Sequence, residues 1–178
     1  MLFHARRFLV HLMIAVGLCT VVAGTVGFAS DVRMVLMEDQ CDPETFDATF
    51  GPGTCVRPHP GVSFSTFITE LLHTQSAGGW MFGPREMRLR EGVAFQAQNN
   101  GGEVHTFTEV DEFGGGFIPE LNELSGNPEP ALECLTLADD DFIPPGGTSE
   151  LEDDEEPGTH HYQCCIHPWM RMDVTVRP

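Results

Sequence analysis

Short apolar segments separated by turn residues fill the sequence from Trp80 to its end, and this pattern constrains the fold more than any other feature. Runs of about four to eight residues bounded by Gly, Pro, Asn or Asp are typical of β-strands. Met87 to Arg90 and Val93 to Gln98 flank a Glu91-Gly92 turn, which predicts a hairpin. The other candidate strands are Val104 to Val110, Leu132 to Leu137, His160 to Cys164 and Met172 to Val176. The sequence therefore predicts an all-β domain over residues 79–178.

One connection in this region is too long to be a simple turn. Asp111 to Pro128 contains three consecutive glycines, Gly114 to Gly116. A connection of this length is usually functional or partly mobile. We therefore expect the segment to be more than a passive link between strands.

The first residues have the pattern of an export signal. Arg6 and Arg7 precede an apolar run from Phe8 to Phe28, and small residues end near Ala29. Cleavage there would remove residues 1–29 and place the protein in the periplasm or outside the cell. An uncleaved run of this length could instead span a bilayer, which would attach the protein to a membrane.

Residues 30–78 are predicted to form an extension that precedes the β domain. It contains a loop between Cys41 and Cys55, followed by a segment of helical period that Ser63 can cap. We expect one short helix that packs on the following domain, with a partner-binding helix as the alternative. The apolar positions with helical spacing are Phe64, Phe67, Ile68, Leu71 and Leu72.

The chain is strongly acidic. It has 9 Arg and Lys against 27 Asp and Glu, and loss of residues 1–29 removes Arg6 and Arg7, which leaves 7 minus 27, or -20. A negative surface of this size repels phosphate backbones, so nucleic acid is not an expected partner. A basic protein partner could be attracted to it, or the charge could serve solubility alone.

Five of the six cysteines follow the signal, and an odd number in an oxidising compartment leaves one thiol outside the disulfides. Cys41 and Cys55 are the natural local pair. Cys165 is either the partner of Cys134 or a buried thiol. Cys164 and Cys165 are adjacent on a predicted strand, so their side chains point to opposite faces and only one can face a metal ion.

The closing loop places a thiol, an imidazole and a thioether within seven residues, with Cys164, His167 and Met170 in the order C-x2-H-x2-M. This spacing selects Cys164 over Cys165. Two histidines and one cysteine with a weak axial methionine are typical of electron-transfer copper, and His105 is the best candidate for the second histidine. Zinc is the main competing ion, but it gains nothing from a thioether.

The segment Cys164 to Arg171 resembles the ligand loop of the cupredoxin family, and the proline after His167 resembles amicyanin. Asn99 to Phe107 resembles the first-histidine segment of plastocyanin-like proteins, although Thr106 stands where the family often has Asn. The resemblance covers about residues 80–178. It implies a Greek-key cupredoxin β-sandwich with one type 1 copper ion held by His105, Cys164, His167 and Met170.

The resemblance also implies a function. The protein would transfer electrons through Cu(I)/Cu(II) to and from a transient redox partner, such as a cytochrome. His167 would lie near the surface, and Pro168 and Trp169 would form an apolar docking patch, unless Trp169 packs in the core. Four protein ligands leave no open position, so we do not expect an enzyme. A periplasmic copper carrier or storage protein is the alternative, and an open catalytic site that uses the glycine-rich loop is a third hypothesis.

Overall fold

The structure is a computed structural model that describes residues 32–178, so the predicted signal segment lies outside the described residues. Seven strands account for most of the regular structure: β1 Arg33–Glu38, β2 Met81–Gly83, β3 Glu86–Arg90, β4 Phe95–Asn99, β5 Thr108–Val110, β6 Gly158–Gln163 and β7 Arg171–Arg177. The three helices are α1 Pro43–Phe50, α2 Phe64–Thr74 and α3 Pro119–Leu124, and two 3-10 turns cover Glu133–Leu135 and Asp139–Asp141.

The strands form two sheets, with orders β2-β1-β4 and β3-β7-β6-β5. Buried and exposed residues alternate along β4 and β7, because each strand turns one face to the core and the other outward. Phe95 and Ala97 of β4 belong to the same buried cluster as Met172, Val174 and Val176 of β7. The prediction of an all-β sandwich is therefore confirmed.

The predicted hairpin between Met87 and Gln98 is wrong, although both of its strands exist. β3 pairs in parallel with β7 in one sheet, while β4 pairs in parallel with β1 in the other. The Glu91-Gly92 turn, with Gly92 at a φ of 76°, thus joins the two sheets. The passage of the chain from one sheet to the other is consistent with the apolar residues on both strands, because Leu89 of β3 and Phe95 of β4 both lie in the core between the sheets.

The extension contributes directly to the sandwich. β1, which the sequence did not predict, lies between β2 and β4 as the middle strand of its sheet. The predicted helix is confirmed as α2, capped by the Ser63 side chain, and it packs on the following strands through Phe67. Helix α1 was not predicted. The division of the chain at residue 79 stays a prediction, and the hydrogen bonds of β1 cross it.

The predicted Cys41–Cys55 disulfide is present, and of the two alternatives for Cys165 the structure shows the disulfide with Cys134. Two disulfides fit an oxidising compartment. The candidate strand at Leu132 to Leu137 is wrong, because Cys134 lies in a 3-10 turn that brings its sulfur to Cys165. Among residues 32–178, no helix has the length and apolar character needed to cross a membrane.

Candidate metal centre

The loop between β6 and β7 folds back on itself at one end of the sandwich. The backbone N–H of Cys164 donates to the carbonyl of Met170 at 3.0 Å, and the N–H of Met170 donates to the carbonyl of His167 at 2.8 Å. These two bonds close the loop across residues 164–170. The short spacing of the three side chains is thereby turned into proximity in space.

Three of the four predicted ligands carry donor atoms that the structure brings together. The Sγ of Cys164 lies 3.8 Å from the Nδ1 of His105 and 3.8 Å from the Nδ1 of His167. All three side chains are buried, with exposed fractions of 0% for His105 and Cys164 and 3% for His167. Met170 is also fully buried and ends the same loop. Cys164 is the one free cysteine among the described residues.

His105 lies in an isolated β-bridge outside the regular strands. Of the predicted strand Val104 to Val110, only β5 is a regular strand, and His105 forms an antiparallel bridge with Ile143. Its N–H donates to the Ile143 carbonyl at 3.1 Å, and the Ile143 N–H donates back at 2.8 Å. This pair of bonds fixes the backbone from which the imidazole projects.

Asp39, which follows β1, is an important residue of this site that the sequence analysis missed. Its buried Oδ2 lies 3.0 Å from the Nε2 of His105 and accepts the backbone N–H groups of Gly102 and Glu103 at 2.7 and 2.9 Å. Its Oδ1 accepts the N–H of Cys41. Because an ionised carboxylate only accepts, Nε2 of His105 carries the proton that bonds Asp39, whether the imidazole is neutral or protonated.

Glu103 is a second buried carboxylate that was missed. Its Oε2 accepts the indole N–H of Trp80 at 2.6 Å and lies 3.8 Å from the Nε2 of His167. Each imidazole thus has a carboxylate on the side away from Cys164. No local sequence signal could have found these pairs, because they join residues that are far apart in the chain.

Thr106 contacts both the sulfur of Cys164 and the backbone of Cys165. Its N–H donates to the Sγ of Cys164 at 3.4 Å, and its hydroxyl accepts the N–H of Cys165 at 2.8 Å. The residue after the first histidine therefore ties the β5 segment to the ligand loop. Threonine performs this bracing with one hydroxyl and one backbone N–H.

The buried groups shift one another's pKa values. Burial alone would raise the pKa of Cys164, but its hydrogen bonds with His105 and His167 outweigh burial and lower the pKa well below its ordinary value. Burial lowers the pKa of His105, yet the bonds to Asp39 and Cys164 raise it to about 9. The pKa of Asp39 is lowered by His105 and by backbone N–H groups against the opposing effect of burial. The pocket therefore favours a thiolate, which is the metal-binding form of cysteine.

The position of His167 differs from the expectation of a surface histidine. Its ring packs against Trp169, with centroids 5.4 Å apart, and against Trp80 at 6.5 Å. Phe67 of α2 lies over both tryptophans. Pro168 is buried and Trp169 is half-buried, so the two residues do not form an exposed patch, and Trp169 packs partly in the core, which was the alternative expectation. The helix of the extension covers this end of the sandwich.

The glycine-rich connection packs against the outside of the ligand loop. The N–H of Phe117 donates to the carbonyl of Cys165, and a side chain at Gly116 would overlap that carbonyl. Arg171 donates to the carbonyl of Gly114 and to Asn127 Oδ1, each at 2.8 Å. The segment, which includes α3, is therefore a brace for the loop and for the Cys134–Cys165 disulfide.

His160 and His161 of β6 lie outside the group formed by His105, Cys164 and His167. His160 contacts Glu109 and Glu155 at 2.7 Å, and His161 contacts Asp173 at 2.7 Å. Each of these two imidazoles therefore has a carboxylate partner of its own.

No protein-family model matches the chain, and no curated protein matches it in sequence. In structure it is similar to a purple cupredoxin from Nitrosopumilus maritimus, with 14% identity, a TM-score of 0.45, and coverage of 82% of this chain and 99% of that one. It is also similar to a mutant of amicyanin in its Cu(I) state, with 20% identity, a TM-score of 0.37, and coverage of 55% and 73%.

A different mutant of amicyanin, in its reduced Cu(I) form, is a third similar structure, with 20% identity, a TM-score of 0.37, and coverage of 57% of this chain and 77% of that one. In the described residues two sheets face each other, and the ligand loop returns from β6 to β7 within one of them. The chain is thus a β-sandwich with an added N-terminal strand and helices.

Proposed function

We propose that this chain is an exported electron-transfer protein that binds one type 1 copper ion through His105, Cys164, His167 and Met170. The observation that carries the proposal is the free, buried Cys164, whose sulfur lies 3.8 Å from the Nδ1 atoms of both histidines. The pocket favours the thiolate, which is the metal-binding form of cysteine, and it places two imidazole nitrogens beside that sulfur. Copper is the ion that this mixture of soft and nitrogen donors selects.

The distances leave room for one ion between the three donors. Metal–sulfur and metal–nitrogen bonds of about 2.3 and 2.0 Å place sulfur and nitrogen about 3.5 to 3.7 Å apart at tetrahedral to trigonal angles. The observed 3.8 Å is compatible with either arrangement. A trigonal set with a weak axial thioether is the arrangement of electron-transfer copper, and structural zinc is tetrahedral.

The chain's own residues hold the donors in place before any ion binds. Asp39 fixes the ring of His105, Thr106 fixes the sulfur of Cys164, and the loop hydrogen bonds fix His167 and Met170. When bound, copper would supply a one-electron Cu(I)/Cu(II) couple. Rigid, buried ligands limit the rearrangement that accompanies each electron, and outer hydrogen bonds that orient ligands are typical of tuned metal sites.

Four protein donors and a buried centre leave little access for a substrate, which supports an electron carrier rather than an enzyme. Electrons would therefore pass between the buried centre and a transient redox partner, such as a cytochrome, through the surrounding protein. The surface nearest His167 is an apolar cavity of about 720 Å³ between α2 and α3. We place the partner contact at this cavity, and the two disulfides support a periplasmic or extracellular location.

Competition with a mild copper chelator, together with voltammetry, separates electron transfer from copper delivery. We expect retention of copper for hours and a reversible one-electron wave, because Trp80, Trp169 and Phe67 cover His167 and block exchange. Phe67→Ala opens this cover and should speed copper loss, while Phe50→Ala, on the exposed rim of the same cavity, serves as the control. Rapid loss of copper from the unmodified protein, without a reversible wave, would favour a copper carrier and contradict the proposal.

A further inference from the structure

A second group of metal-binding side chains shares no residue with the candidate copper centre. We call it the Glu-His cluster: Glu109 of β5, His160 of β6, and Glu155 of the acidic segment before β6. One nitrogen or oxygen atom of each residue lies within 4.8 Å of the other two. The side chains of His160 and Glu155 are 16% and 14% exposed, and that of Glu109 is 50% exposed. The cluster is therefore mostly enclosed and is open to solvent at Glu109.

The register of β5 and β6 places the cluster on the core side of its sheet. Glu109 lies directly opposite Tyr162, and His160 is two residues before Tyr162, so the three side chains share one face. Tyr162 is buried and stacks on Phe107 in the core, which identifies this face as the inner one. A carboxylate and an imidazole thus occupy positions that usually hold apolar residues. Polar groups turned toward a core need partners that compensate for the water they lose.

The acidic segment 150–156 runs from the opposite sheet toward the cluster. Its Glu152 exchanges two backbone hydrogen bonds of 2.9 Å with Phe95 of β4. Three residues later, Oε1 of Glu155 accepts the hydroxyl proton of Tyr162. This bond leaves Oε2 as the atom that Glu155 turns to His160. The segment therefore carries a carboxylate from one sheet to the other and holds it beside the imidazole.

His160 presents one ring nitrogen to both carboxylates. Its Nδ1 lies 2.7 Å from Oε1 of Glu109 and 2.7 Å from Oε2 of Glu155. Its Nε2 lies 2.8 Å from the backbone carbonyl of Glu156, and because a carbonyl only accepts, Nε2 carries a proton. In the neutral imidazole, Nδ1 is then a lone pair that faces two carboxylate oxygens. Three electron-rich atoms that converge in this way are stabilised by a cation between them.

A proton on Nδ1 satisfies this arrangement only in part. The contact between Nδ1 and Glu109 has the geometry of a hydrogen bond. Oε2 of Glu155 lies equally near, but that contact is an ion pair without this geometry. One N–H points in one direction, so it serves one carboxylate well and leaves the other without a hydrogen bond. A metal ion has no such limit and can bind all three atoms at once.

The charge around the cluster is strongly negative. Six of the seven residues 150–156 are acidic. Burial raises the pKa of Glu152 to about 7, and the charges of Glu155 and Glu109 contribute to the rise. A protonated His160 offers one positive charge to the two carboxylates of the cluster, whereas a divalent ion beside a neutral His160 offers two. The divalent ion therefore balances the two carboxylates, and a proton does not.

We infer that the Glu-His cluster is a second metal site, which binds a divalent ion such as Zn²⁺ through Nδ1 of His160 and one oxygen each of Glu109 and Glu155. The contacts around these atoms are those of protein metal sites. A metal-bound histidine usually donates its other ring N–H to a carbonyl or carboxylate, as Nε2 of His160 does to the carbonyl of Glu156. Ligating carboxylates are in turn hydrogen-bonded, as Glu155 is by Tyr162.

The choice of ion follows from the ligand atoms. Carboxylates alone suit Ca²⁺ and Mg²⁺, while an imidazole nitrogen adds preference for Zn²⁺ and related ions. Zinc bonds of about 2.0–2.2 Å set nitrogen and oxygen about 3.4 Å apart at tetrahedral angles, so each carboxylate must move outward by less than about 1 Å. Three protein ligands leave the fourth position to water. The inference does not depend on the proposed function, because the two sites have separate ligands.

Equilibrium dialysis of the full chain against Zn²⁺, followed by metal analysis, tests this inference. Zinc can also enter the Cys164 centre, so binding is measured both in the unmodified chain and in Cys164→Ser. We expect Cys164→Ser to bind one zinc ion, and adding His160→Gln or Glu155→Gln should weaken that binding at least about 10-fold, since each removes a ligand. In the unmodified chain, His160→Gln should lower the zinc content by one equivalent.

Two neighbouring residues provide matched controls. His161→Gln removes an imidazole from the other face of β6, where it contacts Asp173. Asp153→Asn removes a carboxylate of the same acidic segment that is not part of the cluster. Both should bind zinc as tightly as the parent chain. Thermal unfolding gives a second measurement, because zinc should raise the Tm of the parent and of both controls but not that of His160→Gln.

Three results would overturn the inference. The first is a Cys164→Ser chain that binds no zinc, together with an unmodified chain whose zinc content His160→Gln does not change. The second is equal weakening by His160→Gln, His161→Gln and Asp153→Asn, which would assign the binding to net negative charge. The third is Ca²⁺ binding as tight as that of Zn²⁺ and unaffected by His160→Gln, which would assign it to carboxylates alone. The thiolate absorption of the copper-loaded protein is measured separately, so none of these results decides the proposed function.

Discussion

Cys164→Ser is expected to abolish the thiolate-to-copper absorption and to weaken copper binding by more than about 100-fold. Loss of an outer partner of a metal ligand already costs about 10–100-fold in affinity, and this change removes a ligand itself. A serine hydroxyl stays protonated at neutral pH and cannot replace the thiolate. The pair of imidazoles that remains offers nitrogen donors only. Visible absorption and copper titration of the purified variant measure both effects.

The neighbouring cysteine provides the matched control. Cys134→Ser with Cys165→Ser removes the second disulfide without leaving an odd thiol, and it should keep the absorption. The double variant should lose about 2–4 kcal/mol of unfolding free energy, since that disulfide closes a long loop. The opposite pattern, with absorption lost in the control and kept in Cys164→Ser, would show that the wrong cysteine has been assigned.

Asp39→Asn is expected to raise the reduction potential and to lower copper affinity by about 10-fold or more. The amide keeps the shape of the carboxylate but removes its negative charge beside His105, which favours the lower charge of Cu(I). Asn can still accept from Gly102, Glu103 and His105 through its oxygen, but its NH2 group then replaces the oxygen that accepts the N–H of Cys41, and that bond is lost. The variant should fold with reduced stability, and voltammetry and copper titration measure the changes in potential and affinity.

Asp47 offers a matched control for this change. It is also an aspartate of the N-terminal extension that accepts backbone N–H groups, from Gly53 and Cys55, but it does not contact the metal centre. Asp47→Asn removes the same charge and should change stability without moving the potential. Equal shifts of potential in the two variants would contradict a specific role for Asp39 in positioning His105.

The ligand loop could be predicted from sequence because its candidate ligands are close together in the chain. Cys164, His167 and Met170 lie within seven residues, and adjacent cysteines must face opposite sides of a strand. The structure leaves Cys164 free beside two imidazoles, and it pairs Cys165 with Cys134, which was one of two alternatives. That these residues bind copper stays a prediction, and so does the role of Met170.

The partners of the ligands could not be predicted in the same way. Asp39 and His105 are separated by 66 positions, and an aspartate at the end of an unpredicted strand carries no signal of its own. The same limit explains the wrong hairpin, since a Glu-Gly turn indicates a change of direction but not which sheet receives the next strand. Burial of His167 was missed because it depends on α2, which packs across the end of the sandwich.

The visible spectrum of the purified protein loaded with Cu(II) tests the central claim most directly. A thiolate held between two imidazoles predicts an intense charge-transfer band and a coloured protein that bleaches on reduction and recovers on reoxidation. One equivalent of copper should give the full intensity, because the described residues bring together one such group of cysteine and two histidines. A colourless Cu(II) form, with only the weak bands of nitrogen and oxygen ligands, would contradict the assignment of His105, Cys164, His167 and Met170 as a type 1 copper site.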